Sequence, residues 1–341
     1  MSRIAAWAAD RDSAGLRRWL QIGLGVVWVI DAALQYQPYM FGRGFVTSIV
    51  DPASSGNPAA IARSVTGAGH IMLHAVAAFN AAFATIQLVI GLGLLWRPTV
   101  KAALAGTIAW GLAVWLLGEG LGGILTGSAS PLTGAPGAAV LYVLLAVLIW
   151  PRRAPREGLT AKDRIAAACP AASVAAASRL GPRWSRLSWL LLWGSSAYFL
   201  LQGQLRARGY LSATIAGAAG GEPGWLASID RSAAHAVGSS GGVVSVVLAI
   251  TFLLVGLAVL VPAATRPALA LAVMSAAAIW VLTENLGGIF TGTGTDPNTG
   301  PLLILLAAAY WPFAPRRRET PETPPLSAIT GQPATSMPAS R

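Results

Sequence analysis

The sequence is short of the groups that most soluble chemistry draws on. Its one cysteine, Cys169, excludes an intramolecular disulfide, a CxxC redox pair and any multi-cysteine metal site. Redox chemistry would therefore need a cofactor or histidine ligation, and only three histidines are present: His70, His74 and His235. Charge is scarce as well. Charged residues are 11% of 341 against 55% hydrophobic, too little polar surface for a water-soluble fold of this length.

What the chain has instead is long apolar runs. With a mean hydropathy of +0.60, it reads as an all-α integral membrane protein of eight transmembrane helices, each needing about 20 apolar residues to cross a bilayer. The expected spans are 19–41, 71–96, 102–119 and 138–150, then 187–205, 242–261, 268–286 and 302–311. Around them fall an N-terminus at 1–18, a first four-helix unit at 19–150, a basic linker at 151–186, a second unit at 187–313 and a disordered Pro/Thr/Ser-rich tail at 314–341. The alanine-rich middle of the linker reads as a short surface helix. No cleavage site follows the first apolar run, so that run is expected to be a retained helix.

The net charge of +11 sits between the spans, where topogenic charge belongs, so lipid rather than nucleic acid is the expected partner. Placing both termini, the linker and the loops between the second and third spans of each unit on one side gathers 19 of the 24 Lys and Arg there, leaving Arg43, Arg63, Arg206, Arg208 and Arg231 opposite. The richer side is expected to be the cytoplasmic face of a bacterial inner membrane.

The chain is internally duplicated. From Trp115 it reads WLLGEGLGGILTG and from Trp280 WVLTENLGGIFTG, with nine of thirteen positions identical at an offset of 165. At the same offset Gln37 matches Gln202, Arg43 matches Arg208, His70 matches His235 and Glu119 matches Glu284. An even number of spans per unit makes this a parallel repeat about an axis along the membrane normal. Lys101 to Glu119 covers about 27 Å of helix, which carries Glu119 to the outer boundary, so each unit can gather Arg, His and Glu there.

Two readings of those groups stand side by side. Arg43 and Glu119 can form an ion pair that pins the outer loop, with Gly122, Gly123, Gly287 and Gly288 allowing close packing. Alternatively they mark a site: His70 and His235, supported by Glu119 and Glu284, as ligands of a cofactor such as haem. Asp31 and His74 face Ser196 and Ser239 in the other unit, which suggests a pair unique to one half. With His70 and His74 four residues apart, Asp31, His70 and His74 become candidate ligands for a transition metal, and Gln35 lies one turn beyond Asp31. Proton relay and contact with a quinone head group are the other chemistries open to them.

A four-helix unit with a polar first-helix exit, an outer loop and a Gly-rich third-helix end resembles the DoxX-type membrane proteins, which include small subunits associated with thiosulfate:quinone oxidoreduction. The resemblance covers the architecture of each half. It implies a helical bundle working with a redox partner protein, and carries over no catalytic residue. The functional expectation is a redox-associated membrane subunit binding quinone, haem or metal near the outer face, with a carrier of a small solute or metal ion as the alternative and a structural scaffold as a third.

Overall fold

The computed structural model describes residues 3–151 and 173–312. Among the described residues every regular element is helical and no strand occurs. The helices are α1 (Arg3–Gln35), α2 (Ala59–Met72), α3 (Val76–Leu95), α4 (Val100–Leu117) and α5 (Ala138–Leu148), then α6 (Gly181–Leu200), α7 (Tyr210–Ala218), α8 (Gly224–Val237), α9 (Gly241–Ala258), α10 (Pro262–Leu282) and α11 (Thr299–Tyr310). Among the described residues four stretches are long and apolar enough to cross a membrane: Val76–Leu95, Arg97–Leu117, Gly224–Ala258 and Pro262–Leu282. Ala138–Leu148 and Thr299–Tyr310 are shorter apolar helices.

Partners repeat in order. Helix α1 packs on α3, α3 on α4 and α4 on α5; α6 packs on α9, α9 on α10 and α10 on α11. The two sets meet through α11, which lies against α5 and α1. Since lipid is as apolar as leucine, such contacts rest on close van der Waals fit rather than water exclusion. Helices α1 and α3 show this at Gly25 and Gly91, where an added Cβ would fall 3.0 Å from Gly91 O and 2.8 Å from Val29 respectively. The outward flanks are apolar and bare, among them Val89, Leu92, Val247, Ile250 and Leu254, as lipid-facing surface requires.

One end of the bundle is tied by arginine. Arg18 donates to Leu94 O at 2.9 Å and Leu95 O at 2.5 Å, and Arg17 to Trp150 O at 2.6 Å. Those contacts set the start of the apolar part of α1 level with the ends of α3 and α5. Exposed Trp19, Trp96 and Trp184 ring the same end, the level at which indoles sit in an interface.

Several boundaries differ from the sequence reading. Helix α1 begins at Arg3, running through the stretch assigned to an N-terminal arm, and at about 1.5 Å per residue its 33 residues outreach a bilayer core. The expected loop at 42–66 is largely helical: short turns occupy 38–54 and α2 follows from Ala59. The expected span from Ile71 is broken at Leu73–Ala75, so His70 ends α2 and His74 sits in the break before α3. The second half starts its first helix at Gly181, six residues before the expected Leu187, because Pro182 suits a helix's first turn. Cys169, the alanine-rich surface-helix expectation and the 314–341 tail lie outside the described residues.

Candidate functional site

The duplicated element forms the same local structure twice. Helix α4 stops at Leu117 and α10 at Leu282; tight turns at Gly120–Gly123 and Asn285–Gly288 follow. Both turns hold a leucine in the left-handed region, Leu121 at φ 61° and Leu286 at φ 49°. L-residues take this conformation at a cost of about 1 to 2 kcal/mol. The glycines that follow have no alternative: at Gly122 (φ 63°) a Cβ would lie 2.0 Å from Pro136 O, and at Gly287 (φ 75°) 2.4 Å from the Pro297 backbone. The turn is thus pressed onto the segment leading into α5 or α11. Trp115 Nε1 donates to Pro136 O and Trp280 Nε1 to Pro297 O, each at 2.7 Å, fixing that approach.

The two glutamates cap the helices they face. Glu119 Oε1 accepts from Ala139 N at 3.0 Å, in the first turn of α5. Glu284 accepts from Gly300 N at 3.1 Å and from the Thr299 hydroxyl, in the first turn of α11. A carboxylate there satisfies orphan N–H groups and meets the positive end of the helix dipole. Glu119 Oε2 is buried and has no donor. Neither glutamate pairs with arginine. Arg43 and Arg208 are exposed, and the expected Arg43–Glu119 ion pair does not form.

Between the two turns lies a cleft of about 730 Å³. Its walls include Glu119, Glu284, Asp296 and Asn298 with the glycines of both turns, and no Lys, Arg or His lines it. Asp296 is held by its own loop, accepting from Thr295 Oγ1 at 2.9 Å and Asn298 N at 2.7 Å. Burial pushes the Glu119 carboxyl up to about 8, and the charge of Asp296 adds to the rise against the pull of the α5 backbone amides. Glu284 is pushed up to about 7, again first by burial, with the Thr299 and Gly300 bonds opposing. Asp296 is raised by burial. Three carboxyls around one space with no cation among the lining side chains must share protons or face a positively charged or hydrogen-bond-donating guest.

Beneath the cleft, Tyr142 Oη donates to Asp31 Oδ2 at 2.5 Å; Asp31 is 1% and Tyr142 3% exposed. Asp296 lies within coulombic reach of both, and Glu119 within reach of Tyr142. The expected Asp31–His74 pair is replaced by this one, because the chain break at 73–75 turns His74 onto its own helix end: its Nδ1 bonds His70 O at 2.9 Å. His70, His74 and His235 are all exposed. Their rings do not gather with acids, and among the described residues no group of three His, Cys, Asp or Glu is placed to hold a metal ion. The expected metal set Asp31, His70 and His74 is therefore not assembled, and neither His70 nor His235 lines the cleft that would hold a cofactor. Gln35 is buried, while Gln37 and Gln202 occupy matching positions before the turns Pro38–Phe41 and Gly203–Arg206.

Sequence reasoning did not single out Asp296 or Tyr142. The loop between turn and last helix is four residues shorter in the second half, so the offset drops from 165 to 161 and pairs Tyr142 with Leu303 and Asp296 with Ala135. The Pro136–Pro297 and Trp150–Trp311 matches at 161 are the signal that would have found them.

Comparison with family models, with curated proteins and with solved structures finds no match to this chain. Fold and site together define a protein that is all-helical among the described residues, with four helices there long and apolar enough to cross a membrane and a carboxyl-lined cleft where the two duplicated elements meet.

Proposed function

We propose that this chain is an eight-span inner-membrane protein, a parallel tandem repeat of two four-helix units with both termini in the cytoplasm, that binds a small hydrogen-bond-donating or cationic ligand in its outer cleft. One observation carries the reading: two elements 165 residues apart in the chain, each ending in a strained turn and a glutamate that caps the facing helix, form the walls of one cavity. The matching helix starts at Ala59 and Gly224, and at Val76 and Gly241, support the repeat.

Wall chemistry selects among the ligands the sequence leaves open. Three carboxyl side chains and no cationic one line it, so an ammonium group or the O–H groups of a quinol head fit better than an anion. Haem and histidine-bound metal draw no support from three exposed imidazoles. The redox-associated reading, with its DoxX-like resemblance and a partner protein, rests on the quinol option and on the buried Tyr142–Asp31 pair. A solute carrier is the other form the same cleft can serve.

The test is thermal stabilisation of the purified full-length protein by a panel of small primary amines, quaternary ammonium solutes and a water-soluble quinol, with matched carboxylates as controls. Donor or cationic solutes are expected to raise the melting temperature. Stabilisation by the carboxylates alone would overturn the reading.

A further inference from the structure

The interiors of the two halves differ in kind. In the first, Asp31, Gln35, Asn80 and Gln87 are each less than a tenth exposed, and one oxygen of each lacks any hydrogen-bond donor: Asp31 Oδ1, Gln35 Oε1, Asn80 Oδ1 and Gln87 Oε1. The corresponding residues of the second half are Ser196, Leu200, Ser245 and Phe252. Both serines are satisfied, by Leu192 O at 2.8 Å and Leu205 O at 3.1 Å, and the other two are hydrocarbon. Trp28 packs against Tyr142 with the rings tilted by 37° and centroids 4.3 Å apart, whereas Trp193 packs edge-on to Phe252 at 5.0 Å. At these four matched positions the second half packs without an orphaned acceptor; its own buried acid, Asp230 on α8, stands elsewhere, at the position matched by Val65.

The seam has a direction. Asn80 Nδ2 donates to Gln35 O at 2.8 Å, so these residues share one level near the outer end. Gln87 and Trp28 each lie seven residues further in, about 10 Å deeper along their helices, with Asp31 between. Below them Leu24, Leu94 and Leu145 are fully buried and close the path toward the cytoplasmic end. Outward, Asp31 and Tyr142 lie within reach of Asp296, which lines the cleft. The groups that act on Asp31 are Tyr142 from α5 and Asp296 from the loop before α11; α3 offers only neutral Asn80 and Gln87, and α11 no titratable group before Tyr310 at its inner end.

An orphaned acceptor in an apolar interior is costly unless water or a ligand meets it, and four along one seam, where the sister half has serine, leucine and phenylalanine, mark a wet path. We propose that the first unit holds a file of water from the outer cleft along this seam, and that through it the Asp31 carboxyl takes up and releases protons on the outer side only. Oδ1 is the proton-accepting oxygen, since Oδ2 is held by Tyr142. The apolar layer beneath makes it a one-ended proton well, the arrangement by which a membrane protein can couple outer ligand to outer proton. Of the preceding reading it needs only that the cleft faces outward.

Infrared spectroscopy of the full chain, inserted in one orientation in lipid vesicles, tests this. Among the carboxylic C=O bands, which include those of Glu119 and Glu284, one is expected that is absent from Asp31→Asn, shifts in D2O and is lost as the external pH is raised from about 4 to about 10, while the luminal pH leaves it unmoved. The double variant Asp31→Ser, Tyr142→Leu, which copies the second half's own residues, should keep its helical circular dichroism and lose the band; it replaces Asp31→Asn if that variant does not fold. An Asp31 signal that ignores external pH, or follows luminal pH, overturns the proposal. A chain that binds none of the solute panel yet shows the external titration would sink the ligand reading alone.

Discussion

Tyr142 Oη reaches across 111 residues of chain to Asp31 Oδ2 at 2.5 Å, and the matching positions in the other half hold Leu303 and Ser196. Both partners are ionisable in one half and neither is in the other, so the pair is expected to behave as a unit. Tyr142→Phe strips Asp31 of its one side-chain hydrogen-bond donor and is expected to destabilise by about 1 to 3 kcal/mol, the range for leaving a buried polar group unpaired. Asp31→Ser with Tyr142→Leu together should cost far less than the sum of the singles. Thermal unfolding in detergent, read as a double-mutant cycle, checks this, and additive losses would count against a unit.

The glutamate pKa values set a pH slope. Glu119 is raised to about 8 and Glu284 to about 7 from an ordinary 4.5. Between those limits the folded chain holds more protons than the unfolded one, so stability falls as pH rises. The melting temperature is expected to decline from about pH 5 to about pH 8, and Glu119→Gln, which keeps an oxygen for Ala139 N, should flatten that decline. A wild-type melting temperature that rises across this window would contradict the assignment.

The turns should tolerate no side chain. Gly122→Ala and Gly287→Ala must place a Cβ 2.0 and 2.4 Å from neighbouring backbone while holding a left-handed φ, so each is expected to lose several kcal/mol (about 3 or more) or fail to assemble. Gly67, inside α2 with open space around it, is the control: Gly67→Ala should stabilise by about 0.5 to 1 kcal/mol. Expression and melting temperature of the three variants decide the matter.

The indole bonds should count equally. Trp115→Phe and Trp280→Phe each remove one bond to a proline carbonyl, Pro136 O or Pro297 O, at about 1 kcal/mol. A large difference between the two would mean that the halves carry unequal loads at the cleft.

Much of this was legible in the sequence, and the failures have physical causes. Apolar runs located α3, α4 and α10 because lipid-facing helices need unbroken hydrophobicity. The repeated glutamates and glycines located the cleft. What stayed hidden depended on backbone detail: the break at Leu73–Ala75 moved His70 and His74 off the span they were assigned to, and the turns of 38–54 with α2 filled an expected loop. Asp31 showed itself as a costly intramembrane carboxylate, but its partner did not. Tyr142 lies beyond a four-residue length change in the loop, where a constant offset no longer pairs the halves. Asp296 was invisible for the same reason, having Ala135 as its counterpart.

A single ligand site shared by both duplicated elements would show itself in isothermal titration of the purified full-length chain. With the best solute of the amine, ammonium and quinol panel, one ligand per chain is expected, and Glu119→Gln or Glu284→Gln alone should each weaken binding at least tenfold, about 1.4 kcal/mol. Two ligands per chain, or full affinity retained in either variant, would contradict it.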